Sequence, residues 1–412
     1  MGTIVDHINS RLQGYREKRD HLLIGVMSGT SLDGADAVLT KIETGSDGSI
    51  KTVALVGQAS IPYTGELKSI LLALCSPETA RVDDIVFAHF GLSEWYAAVV
   101  GELLAIARLD ADKVDAICLH GQTIWHAPVP KLFPAPGGGT IPVKGTLQIG
   151  SGAVLRERTG IPVIFDFRSR DMAAGGEGAP LAPYVDALLF GSPSRGRIVQ
   201  NIGGIGNATV IPAGSTREGI FAFDTGPGNM IIDELVRRKT KGAEHYDEGG
   251  RRARSGAADE DLVAELMADA YYAKQPPKST GRELYNAAFV SGFIRAAGKR
   301  CLSFEDTVAT ATAFTAESIA RSYRDFIYPI TKIDDIVVGG GGALNGCLMD
   351  MIRERLPAGL TLMTTADLGI PELAREAMAF AVLGHEALMG QPGNLPAVTG
   401  AARDVILGNI TL

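Results

Sequence analysis

The chain has 412 residues, 46% of them hydrophobic and 21% charged, and a formal net charge of −8. Its length calls for more than one lobe, and its acidic balance excludes a nucleic-acid surface or an anionic membrane as the main partner. Scattered Cys75, Cys118, Cys301 and Cys347 fit reduced, mostly buried thiols, and with neither a leader nor an apolar run of about 18 residues the expected location is cytoplasmic.

Residues 1–20 are polar and read as a surface helix or a frayed extension. Residues 22–27 form an apolar strand, 28–36 a Ser/Thr/Gly turn, and 37–42 a second strand. The tip of such a hairpin offers hydroxyls and N–H groups to a phosphate. It is not a P-loop, since GxxxxGK[ST] is absent and no helix follows at once. A hairpin phosphate loop belongs to the actin/hexokinase type of nucleotide fold. Asp33 in that turn would repel phosphate unless it holds Mg2+, directly or through water. The alternative is a plain turn with local Asp and Ser/Thr hydrogen bonds. Residues 52–60 read as a strand, 66–74 as a short helix and 85–108 as a long amphipathic one. The buried strand 114–119 ends in His120, Gln122, Thr123 and His126, where an open α/β sheet binds ligands. Two histidines flanking Trp125 lack zinc spacing. A hydrogen-bonding, ligand-facing segment is expected there, with Trp125 in the core.

Residues 128–145 are rich in Pro and Gly and read as a loop near a lobe boundary. The lobes expected from it are 1–135 plus about 385–412, and 136–384. Strand 162–165 ends in Asp166, Arg168, Arg170 and Asp171, with glycines following. Arg168 or Arg170 can clamp a carboxylate or phosphate with its planar fork; an internal ion-pair network is the alternative. Residues 198–211 repeat the hairpin pattern around Gly203 and Gly204, a hint of duplicated lobes.

The apolar strand 219–223 ends on Asp224, turns through Gly226 and Gly228 to Asn229, and leads into a helix. That order puts a carboxylate and a row of free backbone N–H groups at one rim of a sheet. A charge beside an apolar core is costly unless solvated or used. Asp224 is therefore expected to be a catalytic acid/base beside a bound phosphate, with a helix-capping Asp as the alternative. Residues 275–283 read as a rigid turn into a helix, with Ser279 or Thr280 as its cap and Lys278 and Arg282 as cations near its start. Helices follow over 283–299 and 304–328. Strand 335–338 enters Gly339, Gly340, Gly341 and Gly342, then Asn345 and a helix; the glycines allow close approach of a flat group such as adenine and its ribose. Glu372 and Glu376 can share a face of helix 371–383, one turned to a cleft or both solvated.

Taken together, segments 25–34, 120–126, 166–180, 201–207, 223–229, 277–282 and 340–345, with Glu376, resemble the anhydro-N-acetylmuramic acid kinase family, in order and from about residue 22 onward. The resemblance implies an α/β, two-lobe actin/hexokinase-like (ribonuclease H-like) ATPase fold with a central cleft. It implies ATP and Mg2+, a small-molecule anhydrosugar as substrate, no nucleic acid or membrane partner, and a possible homodimer. The implied reaction hydrolyses the 1,6-anhydro bond while phosphorylating O6, giving N-acetylmuramic acid 6-phosphate for cell-wall recycling. On this reading Gly29, Thr30, Ser31, Leu32, Asp33, Gly34, Ala35 and Asp36 are the ATP loop. Gly203, Gly204, Gly226, Gly228, Asn229, Gly340, Gly341, Gly342 and Asn345 are further nucleotide contacts. Asp224 is the catalytic aspartate, and Asp33 and Glu376 are the metal-site acids. His120, Gln122, Thr123, Arg168 and Asp171 make the sugar site. The sequence departs from the family in Ser151, often Asp, and Leu344, where Arg is common; residues 1–20 and 128–145 look longer than usual. Two rival readings remain, a levoglucosan kinase-like enzyme and a non-catalytic actin-like ATP-binding module.

Overall fold

The computed structural model describes residues 4–29, 32–281, 284–372 and 374–412. The strands among them are β1 Asp20–Ser28, β2 Gly34–Thr44, β3 Ile50–Pro62, β4 Ala116–Pro134, β5 Thr140–Ile149, β6 Val163–Phe165, β7 Arg197–Ile202, β8 Ile205–Ile211, β9 Phe221–Pro227, β10 Asp335–Gly339, β11 Thr361–Thr364 and β12 Asn409–Thr411. The chain divides into two compact units, Met1–Leu189 with Ala374–Leu412, and Phe190–Leu373. The boundaries thus fall at 189/190 and 373/374, not near 135 and 384. Residues 128–145 lie inside the first unit and are not a loop. There β4 and β5 run as an antiparallel ribbon, with Lys131 opposite Val143 and Pro134 opposite Thr140. Val129, Leu132, Phe133, Ile141 and Val143 supply strand propensity that the interspersed prolines masked. Only the tip needs glycine, at Gly137, Gly138 and Gly139 with positive φ.

The first unit holds a sheet ordered β12-β6-β4-β1-β2-β3, with β5 attached to β4. The expected hairpin is present: β1 pairs antiparallel with β2, and β2 with β3. β4 and β6 run parallel to β1. Strand β1 presents opposite faces to two helices. Ile24 and Val26 join Leu92, Tyr96, Val99 and Leu103 of the helix Val82–Ala107 in one core. By length and composition that helix could cross a membrane, which the sequence reading did not expect of any segment. Here it covers the sheet, with Tyr96, Val99, Val100 and Leu103 fully buried. On the other face Gly25 meets the helix Arg375–Met389 so closely that a Cβ would lie 1.8 Å from the Ala377 carbonyl oxygen. Arg375 of this helix is buried in an ion pair with Asp186, Nε to Oδ1 2.9 Å. The polar segment at the start of the chain forms the helix Ile4–Glu17. Its Tyr15 hydroxyl bonds His385 Nδ1 at 2.6 Å.

The second unit holds a sheet ordered β11-β10-β7-β8-β9. β7 and β8, and β8 and β9, are antiparallel, while β10 runs parallel to both β7 and β11. Leaving aside β5 and β12, which run antiparallel to β4 and β6, both sheets read third-second-first-fourth-fifth, with the second strand reversed. This repeated plan is the two-lobe actin/hexokinase-like α/β fold that was expected, and the two hairpins are its matching openings. The helix Phe304–Phe326 starts at a capping box of Ser303 and Asp306. Its Ile319, Tyr323 and Phe326 pack with Phe223 of β9. Two helix starts differ from expectation. The helix expected from 283 begins at Ala287, capped by Asn286, which leaves Ser279 and Thr280 for another role. The helix expected from 371 begins at Arg375.

Candidate active site

In the second unit Asp224 lies in β9, opposite Asn207, just before an irregularity that takes the pairing to Gly226 opposite Gly206. A bulge at this point re-aims the side chains on either side of it. Three hydrogen bonds tie the residue to the segment 271–280. Its N–H donates to the Lys278 carbonyl at 3.1 Å. Its carbonyl accepts from the Tyr271 hydroxyl at 2.6 Å. Its carboxylate Oδ2 accepts from the Thr280 N–H at 2.9 Å. Asp224 is thus a held carboxylate, not the cap of the helix Met230–Lys239, whose cap position is Asn229. Arg282, expected nearby, is outside the described residues.

The glycine turns behave differently from the expected row of free N–H groups. The Gly228 N–H donates to the Gly204 carbonyl at 2.9 Å, Asn229 to Gly203 at 2.8 Å, and Met230 to Gly204 at 3.3 Å. These amides lock the two turns together, and a Cβ on Gly228 would sit 2.2 Å from the Gly203 oxygen. The third glycine run joins the same place. A Cβ on Gly340 would lie 2.8 Å from Asn201 Oδ1 and from the Ile202 oxygen, and one on Gly342 2.3 Å from Ile202 Cγ2. Gly340 and Gly342 are therefore packing glycines, while Gly341 stays exposed beside the Asn229 amide. Asn345 caps the helix Gly346–Arg355 through Leu348 N–H at 3.0 Å. All of this lies at the C-terminal ends of parallel β7 and β10, where open sheets bind ligands.

In the first unit Thr30 and Ser31 lie outside the described residues. Of the rest of the expected ATP loop, Leu32 and Ala35 are buried in the core, and Gly34 packs against the Ile61 carbonyl. Asp36 accepts from the Ser60 hydroxyl. Asp33 is the exposed member, with 77% of its side chain accessible and Lys68 Nζ at 3.1 Å. Gly29 accepts from the Leu32 N–H at 3.2 Å.

The polar strand end of β4 sits beside this turn. Ser28 donates to Gln122 Oε1 at 2.5 Å and bonds the Tyr63 hydroxyl at 2.8 Å. Gln122 is fully buried, so it supports the turn from behind. The Thr123 hydroxyl accepts from Gln148 at 3.1 Å. The Arg168 guanidinium lies on His120 Nε2, at 3.2 Å from Nε and 2.9 Å from Nη2. Because Nε2 accepts, the imidazole is neutral with its proton on Nδ1, an atom that is buried with no partner among the described residues. Burial, and then the Arg168 charge, hold the His120 pKa well below its ordinary value. Burial likewise draws Arg168 down to about 10, against the charges of Glu376 and Asp171. Arg170 is exposed, whereas Arg168 is held against His120.

Asp171, expected in the sugar site, has its oxygens taken up inside the protein. It is fully buried, and its oxygens take bonds from Gly178 N–H, Asn394 and Thr399 at 2.7–2.8 Å. Trp125, expected in the core, is 49% exposed. Asp166, at the end of β6, is held at a φ of 56°, a strained conformation for a non-glycine residue. It lines a cavity of about 200 Å3 with His89, His120, Gln148 and Ser169. Thr146 and Ser169 continue it into a groove of about 520 Å3 floored by Lys144 and Met172. The cavity is the structure's addition to the sequence reading, which had singled out neither His89 nor Gln148.

Glu376 is exposed at the start of its helix. Asp33 and Glu376 are the two metal-site acids that the resemblance implies. No group of three His, Cys, Asp or Glu side chains that could hold an ion occurs among the described residues. Two exposed carboxylates without a protein cage still fit Mg2+, which commonly keeps its waters and binds through one or two carboxylates and substrate phosphates.

The sequence model of the anhydro-N-acetylmuramic acid kinase family matches residues 21–412. A relative named anhydro-N-acetylmuramic acid kinase from Caldanaerobacter subterraneus subsp. tengcongensis is 42% identical over 402 residues, 98% of this chain and 100% of the relative. One of the same name from Salinibacter ruber is 41% identical over 95% of this chain and 96% of its own length. Among solved structures, component A of the (R)-2-hydroxyglutaryl-CoA dehydratase of Acidaminococcus fermentans aligns over 89% of this chain and 99% of its own, with a TM-score of 0.43 and 11% identity.

Proposed function

Because the chain belongs to the anhydro-N-acetylmuramic acid kinase family, we propose that it opens the 1,6-anhydro ring of anhydro-N-acetylmuramic acid with water and transfers the γ-phosphoryl group of ATP to O6. The product is N-acetylmuramic acid 6-phosphate. The observation that carries the reading is the Asp224 carboxylate, held within β9, just before its bulge, by the Thr280 N–H beside the interlocked glycine turns.

Asp224 takes a proton from water as the water oxygen bonds to the anomeric carbon. The C1–O6 bond breaks and O6 keeps its electron pair. O6 then attacks the γ-phosphorus, and ADP leaves. Fixing the carboxylate before the substrate arrives contributes through orientation. Neutral His120 and its Arg168 partner hydrogen-bond the sugar, with Thr123 and the cavity by Asp166 completing its site. The 29–36 turn and the glycine runs at 203–204, 226–229 and 340–342 approach the nucleotide with backbone. Asp33 and Glu376 would hold Mg2+, which supplies charge neutralisation on the phosphates.

The test uses purified protein, ATP and either anhydro-N-acetylmuramic acid or levoglucosan, with ADP release as the readout. Turnover of the former is expected to dominate. Asp224→Asn should keep nucleotide binding and melting temperature and lose turnover. Near-normal turnover by that variant, or a preference for levoglucosan, would sink the assignment.

A further inference from the structure

Lys278 is a cation that the proposed reaction does not use. Its side chain is buried, 5% exposed, one loop away from Asp224. Its ammonium sits 4.4 Å from the ring centre of Phe326, 4.7 Å from that of Tyr271 and 5.9 Å from that of Phe223. It donates a hydrogen bond to the Tyr271 carbonyl at 3.4 Å. Among the described residues no carboxylate lies within ion-pair distance of it. Asp325, an acid whose charge acts on it, is engaged by Arg321 at 3.1 Å. A buried ammonium is costly unless something stabilises it. Here aromatic faces do so, an interaction that strengthens with desolvation.

The cage is built from the residues that hold Asp224. Tyr271 is both a cage wall and the donor to the Asp224 carbonyl. Phe223 is the cage wall next to Asp224 in the chain. The Lys278 carbonyl accepts the Asp224 N–H, and the Thr280 N–H two residues on grips the carboxylate. Pulling the ammonium out of the cage would release the segment that carries both bonds.

We propose that Lys278 is a positioning residue, whose caged ammonium latches residues 276–280 so that the Thr280 N–H aims the Asp224 carboxylate. This rests on the assignment of Asp224 as the base. Loss of the latch weakens a hydrogen bond to an ionised carboxylate, and so raises the pKa of that carboxylate. The latch also has its own pH dependence. Burial first, then the charges of Arg321 and Lys274, pull Lys278 down to about 8, against Asp325. Tyr271, a cage wall, and Asp224, bonded to the Lys278 carbonyl, are titratable groups beside it, as are Arg321 and Asp325 on the helix that supplies Phe326. Below pH 8 the ammonium is present and the latch closed; above it the neutral amine leaves the rings.

The experiment compares Lys278→Met and Lys278→Arg in full pH profiles of kcat and kcat/KM, with melting temperature alongside. Lys278→Met should lose about 100-fold in kcat, with KM for both substrates within about threefold, since the latch touches neither. Its acidic limb should move to higher pH. Lys278→Arg keeps a charge at every pH, so it should recover kcat in part and lose the basic limb near pH 8. A Lys278→Met enzyme with wild-type kcat and acidic limb overturns the proposal. If Lys278→Met does not fold, Lys278→Arg decides: an unmoved basic limb overturns it. Asp224→Asn separates the two ideas. An active Asp224→Asn removes the assignment beneath, whereas an inactive Asp224→Asn beside an unaltered Lys278→Met removes only the latch.

Discussion

Gly25→Ala is the smallest change that should reach the start of the helix Arg375–Met389. A Cβ there would lie 1.8 Å from the Ala377 oxygen and 2.6 Å from its carbon, both backbone atoms. Ordinary contact begins near 3.4 Å, so about 1.6 Å must be found between β1 and the helix. Neither side yields easily. β1 is paired with β2 and β4 on its two edges, and the helix is pinned by the Arg375–Asp186 ion pair. Overpacking of this kind costs about 1–3 kcal/mol, which lowers the melting temperature by roughly 3–10 °C. Glu376 precedes Ala377 and must move with it. Displacement of an active group by about 1 Å can cost on the order of 100-fold in rate. The assay is ADP release across a Mg2+ titration, with thermal melting of the same samples. The Mg2+ needed for half-maximal rate should rise and kcat fall. A variant with wild-type melting and an unchanged Mg2+ dependence would refute both the rigidity of this contact and the role given to Glu376.

Two further outcomes follow from the buried charges. Arg375→Met removes the cation paired with buried Asp186, and should cost about 3–5 kcal/mol in urea unfolding followed by circular dichroism; a loss under about 1 kcal/mol would show that the pair is not desolvated. Asp233 is raised to about 7, by burial and then by Asp247. Its folded pKa lies above the unfolded value, so it subtracts stability as pH rises from about 4 to 7. Asp233→Asn should therefore stabilise the protein by about 1–3 kcal/mol at pH 8 and by much less at pH 5. An equal effect at both pH values would refute the burial argument.

Backbone features were the legible part of the sequence. The hairpin at 22–42 and its counterpart at 198–211 announce themselves through apolar runs broken by small residues, and both are present with the expected pairing. Asp224 was legible because a lone acid at the end of an apolar run is conspicuous. Side-chain fates were not, because their partners lie far along the chain. Asp171 looks like a pocket acid until Asn394 and Thr399 fill its oxygens. The amides after Asp224 look free until Gly203 and Gly204 claim them. Lys278 reads as a cation near a helix start, and only the positions of Phe223, Tyr271 and Phe326 make it a caged one. The 128–145 ribbon was missed for a local reason: prolines punctuate a strand without ending it when the strand is a two-stranded arm.

The division of the chain also has a temporal side. The second unit is one continuous stretch, Phe190–Leu373, whereas the first is closed by Ala374–Leu412. During synthesis the second unit can fold as soon as it emerges from the ribosome. The first must wait for residues 374–412, because these bring Arg375 to Asp186, His385 to Tyr15 and β12 to the edge of β6. Until then β1 has a bare face at Gly25, and the half-made unit is the part of the nascent chain most in need of a chaperone.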